Sequence, residues 1–145
     1  MMRALAMLLA LITAPVLADD LPTPSVWENQ SGSMLHIDAM DGEGRFTGRY
    51  VNGAVGYACQ GIEYAVEGRI FDPLITFNVV WRAEAETCHS ITSWTGTIEG
   101  DVIATEWSLV RWSDAEAEAG SGPGSESGAG GFARYTGTSR FERRD

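Results

Sequence analysis

At 145 residues, with 44 % hydrophobic and 10 % aromatic content, the chain supports one compact domain. Its formal charge is −10 and every basic residue is arginine, so it lacks the basic patch that nucleic-acid phosphates require. The only continuous apolar run, Ala4 to Ala14, falls short of a membrane span.

That run follows Arg3 and leads to Val16-Leu17-Ala18, a small-residue cleavage site, so residues 1–18 read as a secretory signal peptide. Residues 19–25 hold two prolines and read as a disordered lead-in. Strands are expected at 26–30 and 34–38, joined by the turn Ser31-Gly32-Ser33. After the turn Asp41-Gly42-Glu43-Gly44 comes a strand at 45–52. Residues 53–62 are rich in small side chains and read as a mobile loop carrying Cys59. A hairpin follows, 63–71 and 75–82, turned at Asp72-Pro73, with Ile75, Phe77, Val79 and Trp81 on one side. A second hairpin, 90–99 and 102–111, turns at Gly100-Asp101. Residues 114–131 are low-complexity Ala/Glu then Gly/Ser, with no long strand or helix. A short strand at 132–138 leaves 139–145 as a polar tail.

In the strand after Cys88, alternation puts Ser90, Thr92 and Trp94 on one face. Two hydroxyls and an indole make an odd core, but they suit a cavity wall where a few polar groups orient a ligand. A polar face turned to water is the competing reading. Eight short strands joined by sequential turns, with no helical crossover, point to an all-β fold. Our expectation is an eight-stranded antiparallel up-and-down β-barrel with a ligand site at one open end. A two-sheet sandwich is the competing architecture. Cys59 and Cys88 are an even pair in an exported chain, so a disulfide is the default, with free thiols or an intermolecular bond as alternatives. Two Cys and two His without metal spacing argue against a zinc site.

Five motifs in order carry a family resemblance: Trp27-Glu28-Asn29-Gln30-Ser31-Gly32-Ser33, Thr47-Gly48-Arg49-Tyr50, Phe77-Asn78-Val79-Val80-Trp81, His89-Ser90-Ile91-Thr92-Ser93-Trp94-Thr95-Gly96 and Thr105-Glu106-Trp107-Ser108-Leu109. With them the chain resembles the avidin family, and most nearly its short dimeric members. The resemblance implies a secreted protein holding one biotin per barrel with high affinity, as a ligand and not a cofactor, in a homodimer. It implies that Asn29, Ser33 and Tyr50 donate to the ureido oxygen of biotin, the electrostatics of an oxyanion hole without a reaction. Asn52 would accept from a ureido N–H, Thr92 would meet the ring sulfur, and Ser90 the valerate carboxylate. Trp81, Trp94, Trp107 and Leu109 would form apolar walls, with a Cys59–Cys88 bond between the binding loops. The competing readings make Asn29 and Ser33 simple caps of their turn and the aromatics plain core.

Two departures from the family pattern stand out. The last-strand aspartate that accepts from a ureido N–H falls, on alignment through Gly128-Ala129-Gly130-Gly131-Phe132, at Gly130. Asp114 and Glu126 are the loop carboxylates available to replace it. No tryptophan follows Ser113 to close a neighbouring site, and Trp112 is too near its strand end to match. The arginine-bearing tail reads as a disordered terminus, with a contact on a neighbouring molecule as the alternative. An enzyme is not expected, because adjacent strand residues His89 and Ser90 point to opposite faces and cannot form a base–nucleophile pair. The alternative function is a secreted barrel for another small ligand or for a protein partner such as a protease.

Overall fold

A computed structural model describes residues 21–83, 86–112, 126–127 and 132–145. The proposed signal peptide, Asp114 and Gly130 lie outside them. The strands are β1 (Ser25–Asn29), β2 (Met34–Met40), β3 (Arg45–Val51), β4 (Glu63–Phe71), β5 (Leu74–Ala83), β6 (Glu86–Glu99), β7 (Val102–Trp112), β8 (Glu126–Ser127) and β9 (Phe132–Arg144). Strands β1 to β7 and β9 pair antiparallel in sequence, and β1 returns to β9, which closes an eight-stranded barrel. The barrel therefore replaces the sandwich. The two-residue β8 lies beside β9 at Ala133 and Arg134.

Period-two burial drives each strand. On β5, Ile75, Phe77, Val79 and Trp81 are buried while Thr76, Asn78, Val80 and Arg82 are exposed. Closing the sheet turns every such inner face onto one core, in which Trp27, Leu35, Ile37, Phe46, Phe77, Ile103 and Phe141 are almost wholly buried. Turns hold the register. Gly44 takes φ +76°, and the Asp41 carboxylate ahead of it accepts from the backbone N–H of Glu43 and Arg45. Those bonds, Arg45 first, hold the Asp41 carboxyl below its usual range.

The ends of the chain differ from the expectation. Residues 139–145 are not a free tail. Except for Asp145 they continue β9, which pairs β1 from Asn29↔Phe141 to Val26↔Arg144. Ser139 and Phe141 point inward while Arg140, Glu142 and Arg144 point out, so the arginines are the solvent face of the closing strand. Arg144 pairs Glu28 at 2.9 Å, and Arg143 pairs Asp101. At the front, Ser25 already belongs to β1, and Leu21 packs against the core.

Candidate ligand-binding site

The antiparallel order gathers at one end of the barrel the β1–β2 turn, the β3–β4 loop, the start of β6 and the end of β7. Below this rim, the inward residues change from the aliphatic set of the core to neutral polar groups and aromatic rings. Buried polar residues here are Asn29, Ser33, Ser90, Thr92 and Ser139, and among the described residues no charged side chain is buried with them. Such an interior suits an uncharged polar head group.

Three groups form the polar corner. The Asn29 carboxamide oxygen accepts from the backbone N–H of Ser31 at 3.0 Å and Ser33 at 2.9 Å, which caps the β1–β2 turn. Those bonds fix the amide so that its NH2 end is aimed at the Tyr50 hydroxyl, 3.5 Å away. Capping and pocket donation are thus the two ends of one side chain. Ser33 Oγ accepts from Gly53 N–H at 3.0 Å and directs its own proton toward Asn52 Oδ1 at 3.4 Å. Asn52 Oδ1 also accepts from Ala54 N–H at 3.0 Å. Burial pushes the Tyr50 phenol up to about 12, against smaller opposing effects of its bonds with Ser33 and Asn29. At neutral pH it therefore keeps a proton to donate. Asn29 and Tyr50 carry protons at this corner, and Ser33 Oγ can donate there once its proton turns from Asn52 Oδ1.

Aromatic rings enclose the corner. The Trp94 indole stacks on Phe77, with centroids 4.9 Å apart and planes at 11°, and meets Tyr50 at 5.0 Å. Trp81 stands edge-on to Tyr50 at 5.7 Å and to Tyr64 at 5.1 Å. Its Nε1 donates to Thr92 Oγ1 at 2.8 Å, which leaves the Thr92 hydroxyl proton free to act as a donor. Ser90 Oγ donates to Cys88 O at 2.8 Å, and must turn from it to reach a ligand carboxylate. Trp107 and Leu109 face inward on β7, half-buried, in register with Trp94 and Thr92 respectively. Each of the ten residues assigned a biotin contact from the sequence therefore lies on the inner face or at the rim. His89 is exposed and Ser90 buried, so the pair is split as alternation requires.

Cys59 and Cys88 form a disulfide. The β3–β4 loop is fastened by it and by Gly61 N–H to Asn52 O at 2.9 Å, with a bridge between Asn52 and Gln60. Sequence reasoning missed Tyr64, Gly137, Ser139 and Phe141. Tyr64 lies beneath the disulfide, its hydroxyl 3.9 Å from Cys88 Sγ. Ser139 and Phe141 were signalled only by alternation continued past residue 138. Inward residues on β9 run 135, 137, 139, 141, so its buried polar position is Ser139 and not Gly130.

A cup of neutral donors backed by stacked indoles, in a closed meander, can be set beside known families. The family model for the avidin family matches residues 19–134. The chain belongs to the avidin family. Afifavidin of Afifella pfennigii is 37 % identical, with 71 % of this chain and 74 % of that protein covered. Among solved avidins, the rhizavidin–biotin complex superposes with a TM-score of 0.68 at 32 % identity, covering 86 % of this chain and 93 % of rhizavidin. A biotin complex of a shwanavidin variant gives a TM-score of 0.67 at 34 % identity, covering 88 % of this chain and 100 % of shwanavidin. Avidins bind biotin as a ligand and carry no cofactor. The family is one of binding proteins and not of enzymes.

Proposed function

We propose that this avidin is an exported protein that holds one biotin per barrel with high affinity. The observation that carries the reading is the convergence of Asn29 Nδ2, Ser33 Oγ and Tyr50 OH, each oriented by a bond at its other end. Three donors around one point, with only the Ser33 proton having to turn from Asn52 Oδ1, favour a polarised carbonyl such as a ureido oxygen. Asn52 would accept from one ureido N–H. Thr92 would face the ring sulfur, Ser90 the valerate carboxylate, and Trp81, Trp94, Trp107 and Leu109 the hydrocarbon. Calorimetric titration with biotin tests this. One site per chain at nanomolar affinity or tighter is expected; no heat and no competition with labelled biotin would sink it.

Ser139 stands where the family pattern calls for a last-strand carboxylate. A hydroxyl there cannot supply the charged acceptor for the second ureido N–H, and a charge-assisted bond contributes about 1.5–3 kcal/mol. Ser139→Asp is therefore expected to tighten biotin binding by about 10- to 100-fold, read by competition. Gly137, two residues away on the same inner face of β9, acts through Trp107. A Cβ there would lie 2.4 Å from Trp107 Cζ2, within the indole ring. Gly137→Ala should push that ring into the cup and weaken binding by about tenfold, measured in the same assay.

Export is supported by the signal-like residues 1–18 and by a disulfide that needs an oxidising compartment. Amino-terminal sequencing of secreted material should begin at Asp19. A homodimer is supported by the outer surface of β5, β6 and β7. There Val80, Ile91 and Val110 align in one row, the first two about half exposed, beside Asn78, Ser93 and Ser108. The outside of β2 to β4 is instead ionic, with Arg49 bonded to Asp38 at 2.8 Å and Glu63 at 2.9 Å. Light scattering should give twice the chain mass, and Ile91→Glu should reduce it to a monomer.

A further inference from the structure

Three indoles are buried among the described residues, and two have protein acceptors. Trp27 Nε1 donates to Ser25 Oγ at 2.9 Å and Trp81 Nε1 to Thr92 Oγ1 at 2.8 Å. Trp94, 4 % exposed, has no acceptor for its Nε1 proton among the described residues. A buried indole N–H normally finds a partner, and leaving one unpaired is costly. This one belongs to the floor of the cup, in a ring stacked on Phe77 and tilted against Tyr50. The Phe141 ring meets the same two residues, at 6.0 and 6.4 Å. Two residues along β9 from it, facing inward, is the buried Ser139. An unpaired donor and a small hydroxyl residue thus share one floor, without a charged side chain between them.

We propose that Trp94 Nε1 and Ser139 hold one fixed water at the floor of the cup, and that this water is the acceptor for the second ureido N–H. The idea rests on the biotin reading above. A urea N–H is a donor, so it cannot pair with the indole N–H directly. A water can accept from both with its two lone pairs and donate to Ser139 Oγ, which gives it the two to four polar partners a buried water needs. The arrangement makes Trp94 a specificity-determining residue. It favours ligands that present a donor at this point and disfavours N-alkylated ureas, whose methyl group would collide with the water.

The test uses the whole mature protein with indole nitrogens labelled, in complex with biotin. The Trp94 proton, assigned by its loss in Trp94→Phe, should show a nuclear Overhauser cross-peak to a long-lived water. In Ser139→Asp that cross-peak should vanish and the indole proton should move downfield, as the carboxylate replaces the water. Trp94→Phe keeps a ring on Phe77 and should bind biotin about tenfold more weakly. A biotin complex without the water cross-peak, or with Trp94 in contact only with ligand protons, overturns the water. Unchanged affinity in Trp94→Phe overturns the role of the N–H. Calorimetric heat alongside either result leaves the biotin reading standing, whereas no heat at all removes both.

Discussion

Tyr50→Phe is expected to weaken biotin binding by about two orders of magnitude while leaving the barrel folded. The ring remains to stack on Trp94 at 5.0 Å and to meet Trp81 at 5.7 Å, so packing changes little. The hydroxyl does two jobs that end together. It is one of three donors at the polar corner, and it is the acceptor toward which Asn29 Nδ2 is directed at 3.5 Å. Removing it deletes one bond to the ligand and frees the amide that should make another. At about 1–3 kcal/mol for each disrupted buried group, a combined loss near 3 kcal/mol corresponds to roughly 150-fold in affinity. Competition calorimetry reads it, and a loss below fivefold would show that the phenol is core and not site.

The same substitution has a signature at high pH. Burial raises Tyr50 from 10.0 to about 12, so the folded protein keeps a proton that the unfolded chain gives up. The associated stabilisation is full below pH 10 and is lost as pH rises toward 12. The difference corresponds to about 2–3 kcal/mol. Urea midpoints at pH 9 and pH 11.5 should separate more for the wild type than for Tyr50→Phe.

The inner face of the barrel was legible from the sequence because alternation is strict where one face is buried. A one-residue slip would have put Ser90, Thr92 and Trp94 in water and Ile91 inside. The hairpins were legible for the same reason, as with Asp41-Gly42-Glu43-Gly44 between two alternating runs. The last strand was not. Its outward positions Arg140, Glu142 and Arg144 are charged, and inside it offers only Ser139 and Phe141 beside the half-buried Arg143, so composition resembled a solvated tail. What makes it a strand is the pairing of its two edges, with β7 and with β1, and neither partner is near it in sequence. The same misplacement moved the last-strand polar position to Gly130. Asn29 illustrates a different gap. Turn capping and ligand donation competed as readings of one residue, and only the direction of its amide shows that they are compatible.

Replacing both Cys59 and Cys88 by alanine should cost stability and affinity in different currencies. The bond spans 29 residues, and closing a loop of that size constrains the unfolded chain by about 3.5 kcal/mol in the chain-entropy account. The double variant should therefore melt well below the wild type yet still fold, because the barrel closes through the β1–β9 ladder, which the cysteines do not touch. Binding suffers through the loop. Asn52 accepts from Ala54 N–H through its side chain and from Gly61 N–H through its carbonyl, and Ser33 Oγ accepts from Gly53. Each of these partners belongs to the segment that Cys59 anchors, whose apolar members Val55 and Tyr57 are exposed and add little to hold it. Once untied, a few residues must be ordered when the ligand arrives, at about 1 kcal/mol or more apiece. An affinity loss of about 30-fold is expected, carried by a less favourable binding entropy with the enthalpy nearly kept. Equal affinity in the two proteins would mean that the donors are preorganised by the β1–β2 turn alone. In that case the disulfide serves the unfolding equilibrium and has no part in recognition.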